Sequence, residues 1–152
     1  MVQGSVRVHG SGFGTSCACA CLMVARHYQD LVCWQLSREL KRRVYAIVAR
    51  PLVAKDFKYC DQIRDSARSA TRNIAEGFGR YRPADFARFL LIARASLLET
   101  HDHLCDGLDL RYLSQAECDE ACTLADRACG AVTKLHAYLG RCAQRRRKNL
   151  EP

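Results

Sequence analysis

Between Asp30 and Leu139 the apolar residues do not alternate with polar ones; they return every three or four positions, in four separate runs. Cys33, Leu36, Leu40, Val44 and Ile47 fall on one face at about 100° per residue, which predicts a helix from Asp30 to Ala49, stopped by Pro51. Cys60, Ile63, Ala67, Ala70 and Ile74 predict a second helix over Asp56 to Glu76. Gly77 then reads as its cap, since glycine takes left-handed backbone at least cost. Pro83 suits a first helical position and opens a third helix, running to Cys105 on Phe86, Phe89, Leu90, Ala93, Leu97, Thr100 and Leu104. The fourth begins at Ser114, whose spacing to Glu117 is that of a capping box, and continues on Ala121, Leu124, Ala128, Val132, Leu135 and Leu139. Short connections favour antiparallel neighbours, so the pattern predicts an all-α, antiparallel up-down four-helix bundle over residues 28–148. Residues 1–27 read as an extension, with Met23 an alternative start, and 149–152 as a tail.

The third helix carries a second apolar strip, Ala87, Leu91, Ala95 and Leu98, roughly opposite its inner face. A helix apolar nearly all round is normally covered on both sides, and a lone bundle covers only one. Leu91 and Leu98 are therefore expected at a subunit interface. The charge pattern points the same way. Residues 28–82 carry twelve Lys/Arg against six Asp/Glu, whereas 83–140 carry five against nine and 141–152 five against one. A basic surface meeting an acidic one head-to-tail is a heterologous contact, which closes into a ring if the angle permits.

Composition adds little that changes this. With 152 residues, 49% hydrophobic and 26% charged, the chain has the make-up of one globular domain, and no apolar run is long enough to span a membrane. Ten cysteines suggest a disulfide framework, but Cys33, Cys60, Cys105, Cys122 and Cys129 sit inside helical patterns, where reduced cysteine serves as a small hydrophobe. The run Cys17–Ala25 has poor flanks for a signal peptide, and a cytoplasmic protein is expected.

Three segments, YQDLVCWQLSREL (Tyr28–Leu40), QIRDSARSATRNIAEGFGR (Gln62–Arg80) and DFARFLLIARASLLET (Asp85–Thr100), resemble in that order the four-helix-bundle family encoded in intervening sequences of bacterial 23S rRNA genes. The likeness spans residues 28–140. That family is similar in fold to the accessory variability proteins of diversity-generating retroelements, basic bundles that bind nucleic acid and a reverse transcriptase. The resemblance implies a homopentameric ring and brings no biochemical activity with it. Two positions depart from the family pattern. Ala70, Thr71 and Arg72 stand where it has Ile-Pro-Ser, so no proline bend is expected, and Ala95 replaces a glycine of the third helix.

No catalytic constellation is present in the sequence. None of His9, His27, His101, His103 and His136 is paired at helical spacing with a credible nucleophile or an HExxH-type partner. Cys118, Cys122, Cys129 and His136 line one strip of the fourth helix, but Cys122 and Cys129 lie about 10 Å apart along the axis, beyond the reach of one ion. Cys118 and Cys122 supply two ligands at most, and the others have to come from a helix the sequence does not identify. Neither metal nor cofactor is expected, and a non-enzymatic role follows.

Nucleic-acid binding has the best local chemistry. Arg38, Lys41, Arg42 and Arg43 crowd the first helix beside Trp34 and Tyr45, and Arg64, Arg68 and Arg72 make a second line at steps of four. Cations neutralise phosphates while rings stack on unpaired bases. Asp61 and Asp65 compete for Arg64 and Arg68, and Trp34 and Tyr45 serve a subunit contact equally well. Between the second and third helices, NIAEGFGRYR reads as a structural corner of Asn73, Glu76, Gly77 and Gly79 with Arg80 and Arg82 on its rim. A helix C-terminus there repels phosphate, so this is not a phosphate loop. The expectation is a ring-forming bundle that binds RNA, DNA or a nucleic-acid enzyme, without membrane contact. The alternative is a structural or protein-interaction oligomer whose arginines serve assembly.

Overall fold

The computed structural model describes residues 25–80 and 82–148. The leader with its Cys17–Cys21 run and Met23, Tyr81 in the corner, and the tail 149–152 lie outside the described residues. Four α-helices follow one another: α1 (Val32–Val48), α2 (Phe57–Phe78), α3 (Pro83–Asp109) and α4 (Gln115–Lys148), with short 3-10 turns at Tyr28–Asp30 and Val53–Lys55. There is no strand among the described residues. Each helix packs against the next, and α4 returns to α1.

The expected stripes form the core. Leu40 and Val44 of α1, Ile63, Ala70 and Ile74 of α2, Leu90, Ala93 and Leu97 of α3, and Ala125 and Ala128 of α4 are fully buried in one cluster. Leu36 and Phe89 are only half-buried, at the edge of their stripes. Ser37 takes an inner position of α1, its hydroxyl donating to the Cys33 carbonyl at 2.7 Å, so a buried polar group is satisfied within its own helix.

Between α2 and α3 the facing residues are small and hydroxylated. Thr100 Oγ1 donates to Ser66 Oγ at 3.0 Å, and Ser69 and Ser96 exchange a hydrogen bond at 2.8 Å. Three residues forward on α2 thus correspond to four residues backward on α3, and the bonds pin that pairing.

The helix ends have identifiable causes. Asp56 caps α2, accepting from Tyr59 N at 3.0 Å, and its other oxygen accepts from the Tyr112 hydroxyl at 3.0 Å, tying the start of α2 to the turn after α3. Helix α3 runs four residues past its expected end. Its C-terminus is a Schellman motif: Tyr112 N donates to Gly107 O at 2.8 Å and Arg111 N to Leu108 O at 2.9 Å, with Arg111 in left-handed backbone at φ 60°. Gly107 stays inside the helix because a Cβ there would strike the Tyr59 hydroxyl, which itself donates to the His103 carbonyl at 3.0 Å.

The Ser114–Glu117 box forms as expected: Glu117 Oε2 accepts from Ser114 N at 2.9 Å, and Glu117 N donates to Ser114 Oγ at 3.4 Å. The same carboxylate also receives Arg50, which in addition donates to Tyr112 O at 3.3 Å and so holds the end of α1 against the start of α4. The Arg50 guanidinium first, and the Ser114 donors second, hold the Glu117 carboxyl at about 2, below its ordinary 4.5. A carboxylate whose folded pKa is depressed stabilises the fold above its unfolded pKa and loses that contribution as pH falls through the folded one. Thermal unfolding followed by circular dichroism should therefore show the protein losing stability as pH drops from 4.5 toward 2, and Glu117→Gln should make that loss smaller.

Candidate nucleic-acid interface

Helical geometry puts Trp34, Arg38, Lys41, Arg42 and Tyr45 within one broad face of α1, away from the buried Leu40 and Val44. Trp34 is half-buried, edge-on to Tyr28 with ring centroids 5.2 Å apart, and the Arg38 guanidinium lies 5.5 Å from its ring. Tyr45 is 42% exposed. Among the described residues none of Arg38, Lys41 and Arg42 forms an ion pair. Arg43 belongs to a different face: it turns toward α4, 3.0 Å from Glu120, and pairs with Glu39 at 3.7 Å.

On α2 the line of arginines is largely spoken for. Arg64 pairs with Asp61 at 3.7 Å and Arg68 with Asp65 at 3.8 Å, whereas Arg72 is exposed with no ion pair among the described residues. These surface pairs are weak, on the order of 0.3–0.5 kcal/mol each, but they lower the local positive potential.

The corner differs from its sequence reading in one respect. Gly77 is not a cap beyond α2: the helix continues to Phe78, no described glycine has positive φ, and Gly77 is buried. Its role is close approach. A Cβ at this position would stand 2.5 Å from Phe86 Cδ2 and 2.8 Å from Phe89 Cβ, so the absence of a side chain lets the start of α3 lie directly on α2. The helix ends at Gly79, in ordinary right-handed backbone at φ −72°. Asn73 faces inward, its amide donating to Ser69 O at 2.8 Å and Ser69 Oγ at 3.1 Å, which joins it to the Ser69–Ser96 bond. Glu76 pairs with Arg80, whose guanidinium also lies 4.8 Å from the Phe89 ring. Arg80 is thereby a fastener of the corner, while Arg82 is exposed at the N-cap of α3.

The second strip of α3 is open to solvent. Leu91, Ile92 and Leu98 are 52%, 49% and 45% exposed, Ala95 lies between them, and only Ala87 leans on the core. Ile92 widens the strip beyond the residues the spacing identifies.

A cluster farther along α3, toward its C-terminal end, escaped the sequence reading. His101 and Cys105 of α3 come together with Cys122 of α4, their ligand atoms all within 4.8 Å of one another. Cys118 Sγ lies 3.8 Å from Cys122 Sγ. The second helix needed to complete a ligand set is thus α3. The available signal was the pairing of His101 with Cys105 and of Cys118 with Cys122, each four apart, on either side of one short turn. Burial, and then the adjoining Cys118 thiol, push the Cys122 thiol well above its ordinary range, and burial likewise raises Cys118.

The model of the family described as 23S rRNA-intervening sequence protein matches residues 29–134. The match takes in α1, α2, the corner, α3 and the first half of α4. No curated protein matches the chain.

The corner geometry generates a direct test. Gly77→Ala forces a methyl group into the Phe86 and Phe89 side chains, and overpacking of this kind costs about 1–3 kcal/mol. Urea unfolding should show a lowered midpoint for Gly77→Ala, and Gly79→Ala, whose Cβ meets nothing closer than Glu76 O at 3.4 Å, should change it far less.

Proposed function

The chain belongs to the 23S rRNA-intervening sequence protein family, and we propose that it is a non-enzymatic helical protein that binds nucleic acid, RNA or DNA, through the aromatic and basic face of α1. The observation that carries this reading is the contrast between two sets of cations. Arg43, Arg64, Arg68 and Arg80 sit beside carboxylates, whereas Arg38, Lys41 and Arg42, which lie between Trp34 and Tyr45 on α1, form no ion pair among the described residues. Unpaired cations neutralise phosphates, and the rings offer stacking surface for unpaired bases. Exposed Arg72, Arg82, Arg141 and Arg145 extend the positive surface. The same surface suits a nucleic-acid enzyme bound to that RNA or DNA.

The proposal includes assembly. The Ser66–Thr100 and Ser69–Ser96 bonds, with Arg43–Glu120, support an antiparallel up-down bundle as the subunit. The exposed Leu91, Ile92 and Leu98 support a ring of such subunits, a pentamer as the resemblance implies. Free, buried Cys60 and Cys118 suit a reducing compartment, the cytoplasm. No helix among the described residues is long and apolar enough to cross a membrane. The second reading, an oligomer whose surface serves assembly alone, rests on the same α3 strip and on Trp34 and Tyr45 as subunit contacts.

Two measurements separate these readings. If about four phosphates are neutralised, the single-strand slope of about −0.7 per contact makes a fourfold rise in salt weaken binding about fiftyfold. Fluorescence anisotropy with single-stranded RNA should show that dependence, and absence of binding at low salt would leave only the assembly reading. For the ring, Leu91→Glu with Leu98→Glu should give folded monomers in light scattering, and an unchanged particle mass would show that this strip is not the interface.

A further inference from the structure

The junction of α3 and α4 gathers four side chains of one chemical kind. His101 and Cys105 lie one turn apart on α3, Cys118 and Cys122 one turn apart on α4, and residues four apart share a helix face. Cys105 Sγ is 3.9 Å from His101 Nδ1, and Cys122 Sγ is 3.8 Å from Cys118 Sγ. Tetrahedral zinc, with bonds of about 2.3 Å to sulfur and 2.0 Å to nitrogen, holds two sulfurs about 3.8 Å apart and a sulfur and a nitrogen about 3.5 Å apart. The side chains already stand close to that spacing.

We propose that this cluster is a structural metal site taking one zinc ion per chain, with His101, Cys105 and Cys122 as ligands and Cys118 as the fourth. Thiolate and imidazole donors select zinc over magnesium or calcium, which prefer oxygen. Each coordinating thiol gives its proton to solvent as its bond to zinc forms, and the imidazole binds neutral through a ring nitrogen, so no oxidant or reductant enters the balance. Cys118 at present directs its Sγ to Leu104 O at 3.5 Å and must leave that carbonyl to join the ion. Cys105 is exposed and provides the way in, while Cys118 is buried and Cys122 half-buried, so the filled site closes toward the core. The setting is acidic: residues 83–140 carry nine Asp/Glu against five Lys/Arg, and the ligands of α3 lie in the last turns of that helix, whose carbonyl end favours a cation. The ion would staple α3 to α4 beside the turn at 110–114.

Cys17, Cys19 and Cys21 are other thiols able to take metal, so the test uses the full chain with these three replaced by serine. Loaded with zinc under reducing conditions and desalted, it should retain one zinc per chain by native mass spectrometry. Cobalt in place of zinc should give thiolate-to-cobalt charge transfer and the visible bands of a tetrahedral site. Cys105→Ser and Cys122→Ser should each abolish the stoichiometric ion, Cys118→Ser should lower the charge-transfer intensity by about a third, and Cys129→Ser, farther along α4, should change neither. Should the ligand variants fail to fold, alkylation of the parent chain decides: zinc should shield Cys105, Cys118 and Cys122 while Cys142 stays reactive. Substoichiometric metal, metal retained by the Cys105→Ser/Cys122→Ser double variant, or a disulfide within the cluster that persists in reductant would each overturn the site.

Discussion

Helices α2 and α3 lie close because what stands between them is small, and the other features depend on that approach. Gly77 receives the Phe86 ring, and Ser66, Ser69, Ser96 and Thr100 meet through hydrogen bonds that only one register allows. A seam of hydroxyls would be costly if unsatisfied, since a buried donor or acceptor without a partner loses about 1–3 kcal/mol. Each of these hydroxyls has a partner across the seam, so the polar groups specify the pairing as well as filling it. With α2 and α3 locked, the core face of α3 is fixed, and its opposite strip of Leu91, Ile92 and Leu98 has nowhere to turn but outward.

Most of the fold was legible because apolar spacing in an α-helix leaves little ambiguity over twenty residues. Ile63, Ala67, Ala70 and Ile74 are all buried, as are Leu124, Ala128, Val132 and Leu135. Local rules failed where a distant residue decides. Gly77 has the position of a cap and the job of a contact, because Phe86, nine residues on, occupies the space its side chain would need. Gly107 discourages helix by propensity, yet α3 passes through it because Tyr59 of α2 needs the room. The Cys–His cluster was half visible: one helix supplied a pair at ligand spacing, and which helix supplied the other pair depended on packing.

Charge tells a similar story at the candidate surface. Sequence spacing identifies cations but not their partners, and it treats Arg43 and Arg42 alike. Packing separates them, sending Arg43 to Glu120 of α4 and leaving Arg42 in solvent next to the Trp34 face. Arg80 is withdrawn to Glu76 and Phe89 in the same way. The basic half of the chain therefore has a narrower usable surface than its formal charge suggests, and that surface is the one interleaved with aromatic rings.

The chain contains one tryptophan, and it sits at one end of that surface, beside Arg38. Titrating the protein with single-stranded RNA while following Trp34 emission is the most direct test of the α1 face. The account predicts quenching that saturates with binding and is reversed by added salt, as bases stack on the ring and counterions compete for the phosphates. RNA binding that leaves Trp34 emission unchanged would contradict it.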